Sequence, residues 1–219
     1  MTVFVIAMQS EAESVLACMQ SVEKQTVHSR TVARGTLCGK PAAVVICGVG
    51  KVNAACGAQY AIDCLGADKI INIGVAGGLN DGMSIAAVYE MKNAVQYDFD
   101  LVQINGTTIG TLNEFKEPYL PFETVSLYPS KSLATGDRFN DSREDFLLLT
   151  KELKADIRDM EGGAILHACV RAGVKCYSFK AISDLAGSGS TTEQFLQNLN
   201  RCNEALKEAV PAIFEEING

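Results

Sequence analysis

Ala181-Ile182-Ser183-Asp184 ends an apolar run that begins at Cys176. The run contains aromatic and β-branched side chains, which is typical of a buried strand. Open α/β sheets bind their ligands at the carboxyl ends of the strands, so a carboxylate at that place indicates a crevice. Asp184 is therefore the first candidate functional residue.

A second acidic cluster, Asp159-Met160-Glu161, lies upstream of this strand. It precedes residues 162–172, which have the pattern of a helix. A helix start and a strand end can meet at one edge of a sheet. We therefore expect Glu161 and Asp184 to share one crevice.

Short apolar runs alternate with helical patterns along the whole chain, which indicates an α/β fold with a largely parallel or mixed central sheet. The predicted strands are residues 3–7, 42–47, 69–73, 87–91, 94–97 and 176–182. The predicted helices are residues 10–19, 51–65, 162–172 and a long terminal helix from 191. Pro211 is expected to kink or break that last helix. The length of 219 residues suits a single domain over 1–219.

Residues 98–132 lack a regular hydrophobic period, and prolines and an Asn-Gly pair mark turns within them. A loop of that length inside a compact domain usually serves a function. We expect this segment to form a rim or lid over the ligand.

Composition argues against several classes of partner. The formal net charge of −7 and the pI near 4.9 predict no basic surface, so neither a nucleic acid nor a membrane is an expected partner. The first residues lack a basic region and turn polar after seven positions, which predicts a cytoplasmic protein. The eight cysteines form no CxxC pair and only two histidines are present, so no metal site is expected. A small molecule is the expected partner.

Two glycine-rich turns follow predicted strands. The first, Gly48-Val49-Gly50-Lys51-Val52-Asn53, lacks the third glycine of a dinucleotide fingerprint and the spacing of a P-loop. It predicts a tight strand-to-helix turn and no cofactor. The second, Gly74-Val75-Ala76-Gly77-Gly78, would keep side chains away from a bulky ligand.

The segment Thr135-Gly136-Asp137-Arg138-Phe139-Asn140 places an aromatic ring in a polar turn. Phe139 could stack on a heterocycle. From composition alone, a hydrophobic anchor in the core is an equally good interpretation.

Taken in order, these segments resemble the nucleoside phosphorylase and nucleosidase family, and most closely its 5′-methylthioadenosine/S-adenosylhomocysteine nucleosidases. The segments that carry the resemblance are residues 7–13, 48–55, 74–79, 135–139, 159–161 and 181–184. The resemblance implies a three-layer α/β/α fold with a mixed, partly parallel central sheet. It also implies hydrolysis of the N-glycosidic bond of 5′-modified adenosines, no cofactor and a homodimer.

The resemblance further implies a role for each candidate residue. Asp184, oriented by Ser183, would be the general acid that protonates N7 of the purine. Glu161 would hold the ribose hydroxyls, and Glu11 would bind and activate the attacking water. Phe139 would stack on the adenine. The other expected substrate contacts are Met160, Val75, Ala76, Gly77 and Asn140.

Two alternatives from other classes stay open, a phosphorolytic transferase and a nucleoside-binding or storage protein without catalysis. Taken singly, Glu11 and Glu161 could merely complement helix dipoles. Phosphorylases of this family present arginines after strand one and beside the central glycine turn. Residues 7–11 and 72–75 contain none, which favours water as the nucleophile.

Several positions depart from the pattern of these nucleosidases. Val75 stands where a serine is usual, Lys180 where an arginine is usual, and Gly162-Gly163 where larger residues are usual. In the family, the region corresponding to 98–132 builds the pocket for the 5′-substituent, partly across a dimer interface, and here it looks shorter. The preferred 5′-substituent and base therefore stay open.

Overall fold

Ten strands pair into one mixed sheet in this computed structural model, which describes residues 1–80 and 82–219. The strands are β1 (Thr2–Ile6), β2 (Gln20–Val27), β3 (Arg30–Leu37), β4 (Lys40–Ile46), β5 (Lys69–Gly78), β6 (Val88–Gln96), β7 (Leu120–Pro121), β8 (Ser130–Thr135), β9 (Ile157–Asp159) and β10 (Lys175–Leu185). The helices are α1 (Gln9–Leu16), α2 (Lys51–Leu65), α3 (Val102–Asn105), α4 (Arg143–Leu147), α5 (Gly162–Ala172) and α6 (Thr191–Asn218), with a π-helical turn at Leu148–Glu152.

The order of strands in the sheet is β10-β6-β8-β9-β5-β1-β4-β3-β2. Strand β10 also pairs with β5, so five of the strands close into a ring. Four strands run in the same direction: β1 pairs in parallel with β4 and β5, and β5 pairs in parallel with β10. Their carboxyl ends therefore meet at one edge, and there Asp184 of β10 lies opposite Gly77 of β5.

Helices cover both faces of the sheet. α2 and α5 pack in one core with Val3 and Val5 of β1. α1 and α6 pack in a second core with Phe4 and Ile6 of the same strand. This alternation along a strand that is buried on both faces explains its continuous apolar sequence. The three-layer α/β/α prediction is confirmed.

The bounds predicted for the helices at 51–65 and 162–172 agree with α2 and α5. The runs at 87–91 and 94–97 belong to one strand, β6. The hairpin of β2 and β3 was not predicted, because β2 is mostly exposed and polar and has no apolar face that would reveal it.

Helix α6 continues through Pro211 to Asn218, so the expected break there is wrong. Val210, Ile213 and Phe214 on either side of the proline are buried, and their packing holds the helix together. Pro211 lacks the N–H that would normally reach the carbonyl of Lys207. That carbonyl lies 3.5 Å from Sγ of Cys18, which partly replaces the missing donor.

The segment 98–132 contains α3 and β7 and several buried side chains, among them Leu112, Leu120 and Phe122. It is therefore anchored to the core more firmly than its irregular sequence predicts. No helix within residues 1–80 and 82–219 combines the length and the apolar character needed to cross a membrane.

Candidate active site

A cavity of about 450 Å³ opens at the sheet edge where β1, β5 and β10 end. Its lining residues are Ala7, Met8, Glu11, Val49, Val75, Ala76, Gly77, Arg138, Phe139, Arg158, Asp159, Met160, Glu161, Ser183, Asp184, Thr192, Phe195 and Leu196. Three carboxylates predicted from the sequence, those of Glu11, Glu161 and Asp184, therefore lie in one crevice.

Asp184 is almost completely buried at the end of β10. The hydroxyl of Ser183 donates to its Oδ2 at 2.8 Å, whereas its Oδ1 has no hydrogen-bond partner among the described residues. Burial raises the pKa of Asp184, while the Ser183 hydrogen bond and the charge of Arg158 act to lower it. The carboxyl can therefore hold a proton more readily than an exposed aspartate.

Glu11 lies in the first turn of α1, and both of its carboxylate oxygens accept backbone hydrogen bonds. The N–H of Val75 donates to Oε1 at 2.8 Å and the N–H of Met8 donates to Oε2 at 3.1 Å. Glu11 thus caps its own helix and also ties α1 to β5. Burial raises the pKa of Glu11.

Gly74 makes this contact possible. A Cβ at Gly74 would lie 2.7 Å from Oε1 of Glu11, closer than two such atoms can approach. Residues 74–78 belong to strand β5, so the prediction of a turn there is wrong. Gly74 leaves room beside this strand for a protein carboxylate.

Glu161 immediately precedes α5 and is also buried. The N–H of Gly50 donates to its Oε1 at 2.8 Å. Gly48 and Gly50 have φ values of 96° and 97°, a conformation that favours glycine. The Gly48-Val49-Gly50 motif is thus a tight turn that presents a backbone donor to Glu161. Burial and the charge of Asp159 raise the pKa of Glu161 to about 7.

Lys180 provides the positive charge at the base of this acidic crevice, a role that the sequence did not reveal. Its Nζ lies 2.9 Å from Oδ2 of Asp159, and the two side chains are only 2% and 1% exposed. Burial acts to lower the pKa of Lys180, but the charges of Asp159, Glu161 and Glu11 outweigh it, so the net pKa is raised. One buried ammonium therefore faces three carboxylates.

Asp159 is held from three directions. Besides Lys180, the hydroxyl of Thr135 donates to its Oδ1 at 2.6 Å and the N–H of Gly162 donates to its Oδ2 at 2.8 Å. A Cβ at Gly162 would lie 2.5 Å from Leu133 and 2.9 Å from Asp159. The glycine at this position thus allows the start of α5 to close against β8 and Asp159.

Aromatic and apolar side chains also line the cavity. Phe139 is 48% exposed, which excludes the interpretation that it is a core anchor. Its ring meets the ring of Phe195 at a centroid distance of 5.7 Å and an angle of 69°. Leu196 of α6 is 68% exposed and also lines the cavity.

Nearly all of the predicted substrate contacts line the cavity, namely Phe139, Met160, Ser183, Val75, Ala76 and Gly77. Asn140 does not. Its amide donates to Asp145 at 2.9 Å and its Oδ1 accepts from the N–H of Ser142 at 3.0 Å. The side chain therefore stabilises the turn before α4, and the prediction that it contacts the substrate is not supported by its position.

The segment 98–132 does not line the cavity in the part of the chain that the structure describes. The expected lid within one chain is therefore wrong. Leu112, Leu120 and Phe122 of this segment pack into the core, which holds that part of it away from the crevice.

The site has two chemically different regions. Asp184, with one unpaired oxygen and a raised pKa, can donate a proton to a basic atom. Glu11 and Glu161, near Lys180, can accept hydrogen bonds from hydroxyls or water and can stabilise positive charge. A ligand with a basic heterocycle and a hydroxylated part matches this arrangement.

We expect Lys180→Met to destabilise the protein by about 3 to 5 kcal/mol, because it leaves the buried Asp159 carboxylate without its cation. Urea unfolding at neutral pH measures this change. Lys180→Met combined with Asp159→Asn removes both charges and should recover a large part of the loss. Equal instability of the single and double variants would contradict the ion-pair interpretation.

Comparison with known proteins agrees with this geometry. The model of the phosphorylase superfamily matches residues 2–215. A 5′-methylthioadenosine/S-adenosylhomocysteine nucleosidase of Geobacillus kaustophilus is 28% identical over 207 residues, which cover 87% of this chain and 88% of the relative.

Two solved structures are similar over nearly the whole chain. The nucleosidase of Helicobacter pylori superimposes with a TM-score of 0.91 at 22% identity, covering 98% of this chain and 97% of that one. The nucleosidase of Neisseria meningitidis, in complex with methylthio-immucillin-A, gives 0.86 at 26% identity and covers 96% and 99%. The match to the family model spans almost all of the sequence, and the chain therefore belongs to the phosphorylase superfamily.

Proposed function

We propose that the protein hydrolyses the N-glycosidic bond of 5′-modified adenosines, such as methylthioadenosine or S-adenosylhomocysteine, and releases adenine and a 5-modified ribose. The names of its relatives support this activity. The observation that carries the proposal is the presence of Asp184, Glu161 and Glu11 in one crevice, each carboxylate with a different set of partners.

Asp184 is the proposed general acid. Cleavage leaves the electron pair of the glycosidic bond on the purine, so protonation of N7 makes the base a better leaving group. The Ser183 hydroxyl occupies Oδ2 and leaves Oδ1 available to carry the proton. The raised pKa of Asp184 favours the protonated form that this step requires.

Glu161 and Met160 are the proposed contacts of the sugar. Loss of the base creates an oxocarbenium-like cation, and a carboxylate close to the ribose stabilises it. With a pKa of about 7, Glu161 is partly protonated at neutral pH. The positive charge that develops on the sugar would favour the ionised form.

Glu11 is the proposed ligand and activator of the attacking water. Its position also distinguishes hydrolysis from phosphorolysis. The backbone N–H groups of Val75 and Met8, which could otherwise bind an anion, already donate to the Glu11 carboxylate. A carboxylate at this place repels phosphate, so water is the proposed nucleophile.

Substrate panels with and without phosphate test the reaction class. We expect adenine release from methylthioadenosine and S-adenosylhomocysteine in phosphate-free buffer, with a rate that added phosphate does not increase. Chromatography of the products measures both. A strict requirement for phosphate would indicate a phosphorylase, and no turnover of any nucleoside would favour the binding or storage alternative.

Asp184→Asn should lower kcat by at least about 100-fold, the usual contribution of a general acid. The amide keeps the size of the side chain but cannot supply a proton to N7. Asp63→Asn, a change of an exposed carboxylate on α2, is the matched control and should leave turnover unchanged. Turnover of Asp184→Asn close to that of the parent protein would exclude Asp184 as the acid.

We also propose that two copies of the chain associate. Four apolar side chains near the start of α2 and in α3 are exposed: Val49, Val52, Val102 and Ile104 at 47%, 75%, 44% and 81%. An ion pair between Lys51 and Asp98 holds the start of α2 close to the segment that contains α3. Exposed apolar residues next to a ligand crevice favour an interface there.

Light scattering of the purified protein should give twice the chain mass of 23.4 kDa. Ile104→Asp places a charge in the proposed interface and should shift the mass toward that of one chain. A parent protein with the mass of one chain at micromolar concentration would contradict the dimer.

A further inference from the structure

Arg158 is a charged residue in the crevice for which the proposed reaction has no use. It is the central residue of the short strand β9, between Ile157 and Asp159, which are both buried. Its side chain is 11% exposed and lines the same cavity as Asp184. Arg158 lines the crevice, whereas its neighbour Ile157 packs in the core.

The guanidinium has unmet hydrogen-bonding capacity. An arginine offers five N–H donors and no acceptor. Nη2 of Arg158 lies 4.0 Å from Oδ1 of Asp184, which is too long for a hydrogen bond. Among the described residues, no other acceptor takes a hydrogen bond from this guanidinium. Arg138, the other arginine in the cavity lining, is instead bound to Asp145 at 2.9 Å.

Gly77 allows Arg158 and Asp184 to lie side by side. It pairs with Arg158 in the sheet and with Asp184 in the neighbouring ladder. A Cβ at Gly77 would lie 2.8 Å from Oδ1 of Asp184 and 3.2 Å from Nε of Arg158. The absence of a side chain at this position thus brings two polar groups, each with unused hydrogen-bonding capacity, to one place in the cavity wall.

The purine edge that presents N7 also presents the 6-substituent. In hypoxanthine or guanine that edge shows two acceptors, N7 and O6, whereas in adenine it shows the N7 acceptor and an amino donor. Arginine pairs well with the two acceptors and poorly with a donor. Arg158 presents donors only, whereas protonated Asp184 presents one donor and keeps acceptor capacity.

We infer that Arg158 is a specificity-determining residue that extends the base range of this crevice to 6-oxopurines, so that 5′-modified inosines are hydrolysed at least as well as 5′-modified adenosines. Asp184 protonates N7 and Arg158 donates to O6, and the glycosidic electron pair leaves on the base. The inference rests on the proposed function for the cleavage step and on Arg158 for the choice of base.

The surroundings of Arg158 agree with a binding role. Arg158 also lines a smaller cavity of about 320 Å³, together with Arg143, Asp141 and Ser142. The charge of Arg158 also acts to lower the pKa of Asp184, which opposes proton donation. An arginine without a partner on the substrate would therefore only lower the pKa of Asp184 and make it a poorer proton donor at neutral pH.

Competing hydrolysis of 5′-methylthioinosine and 5′-methylthioadenosine tests the inference. We expect the parent protein to show kcat/KM for the inosine at least equal to that for the adenosine. Arg158→Met should lower the inosine-to-adenosine ratio by about tenfold or more, the usual loss when a base contact is removed. Arg158→Gln retains an N–H donor and should keep part of the ratio. Arg201→Met, an exposed arginine on α6, should leave the ratio unchanged.

A parent protein that prefers the adenosine, with a ratio that Arg158→Met does not alter, would overturn the inference while leaving the proposed function intact. Hydrolysis of neither nucleoside would instead count against the proposed function. Calorimetry then measures the binding of free hypoxanthine and of free adenine to the parent protein. This measurement tests the choice of base without catalysis and does not depend on the folding of a variant. Hypoxanthine should bind at least as tightly as adenine, and tenfold tighter adenine binding would overturn the role of Arg158.

Discussion

The buried ion pair between Lys180 and Asp159 is the contact on which the rest of the crevice depends. Glu11, Asp159 and Glu161 are all less than a tenth exposed, and burial of that many carboxylates without a cation would be prohibitively unfavourable. The ammonium of Lys180 stands among them and also gives Asp159 its strongest partner. A lysine can balance several acids at once because its charge is compact and its three donors rotate freely.

Glycines, which have no side chain, leave the space that these carboxylates occupy. At Gly74, Gly77 and Gly162, a Cβ would overlap with Glu11, with Asp184, or with Leu133 and Asp159. The sheet edge is therefore shaped so that carboxylates approach the backbone of a neighbouring strand or helix. Backbone N–H groups hold three of the carboxylates in place, those of Glu11, Glu161 and Asp159. The crevice combines rigid acids with an apolar side formed by Phe139 and Phe195, which suits a ligand with one flat, basic half and one hydroxylated half.

Sequence reasoning succeeded where local pattern and burial agree. The bounds of α2 and α5 were predicted correctly, and each of these helices ends at a glycine with positive φ. It failed for β2, whose polar surface shows no alternation, and for the course of α6 through Pro211. In both cases the structure is determined by contacts between residues far apart in the sequence. A short stretch of sequence does not show these contacts.

The sequence by itself determined the α/β class, because that class depends on residue type and short-range period. Through the family resemblance it also pointed to Glu11, Glu161 and Asp184. Only the tertiary structure decided what surrounds those carboxylates. Lys180 and Phe179 are neighbours in an apolar strand, and no pattern distinguishes a lysine that neutralises a site from one that reaches solvent. Arg158 meets Asp184 through the pairing of β9 and β10 with Gly77, and Asn140 turns away to Asp145. Such neighbours are set by strand register and by the packing of elements far apart in the chain, and these exist only once the chain has folded.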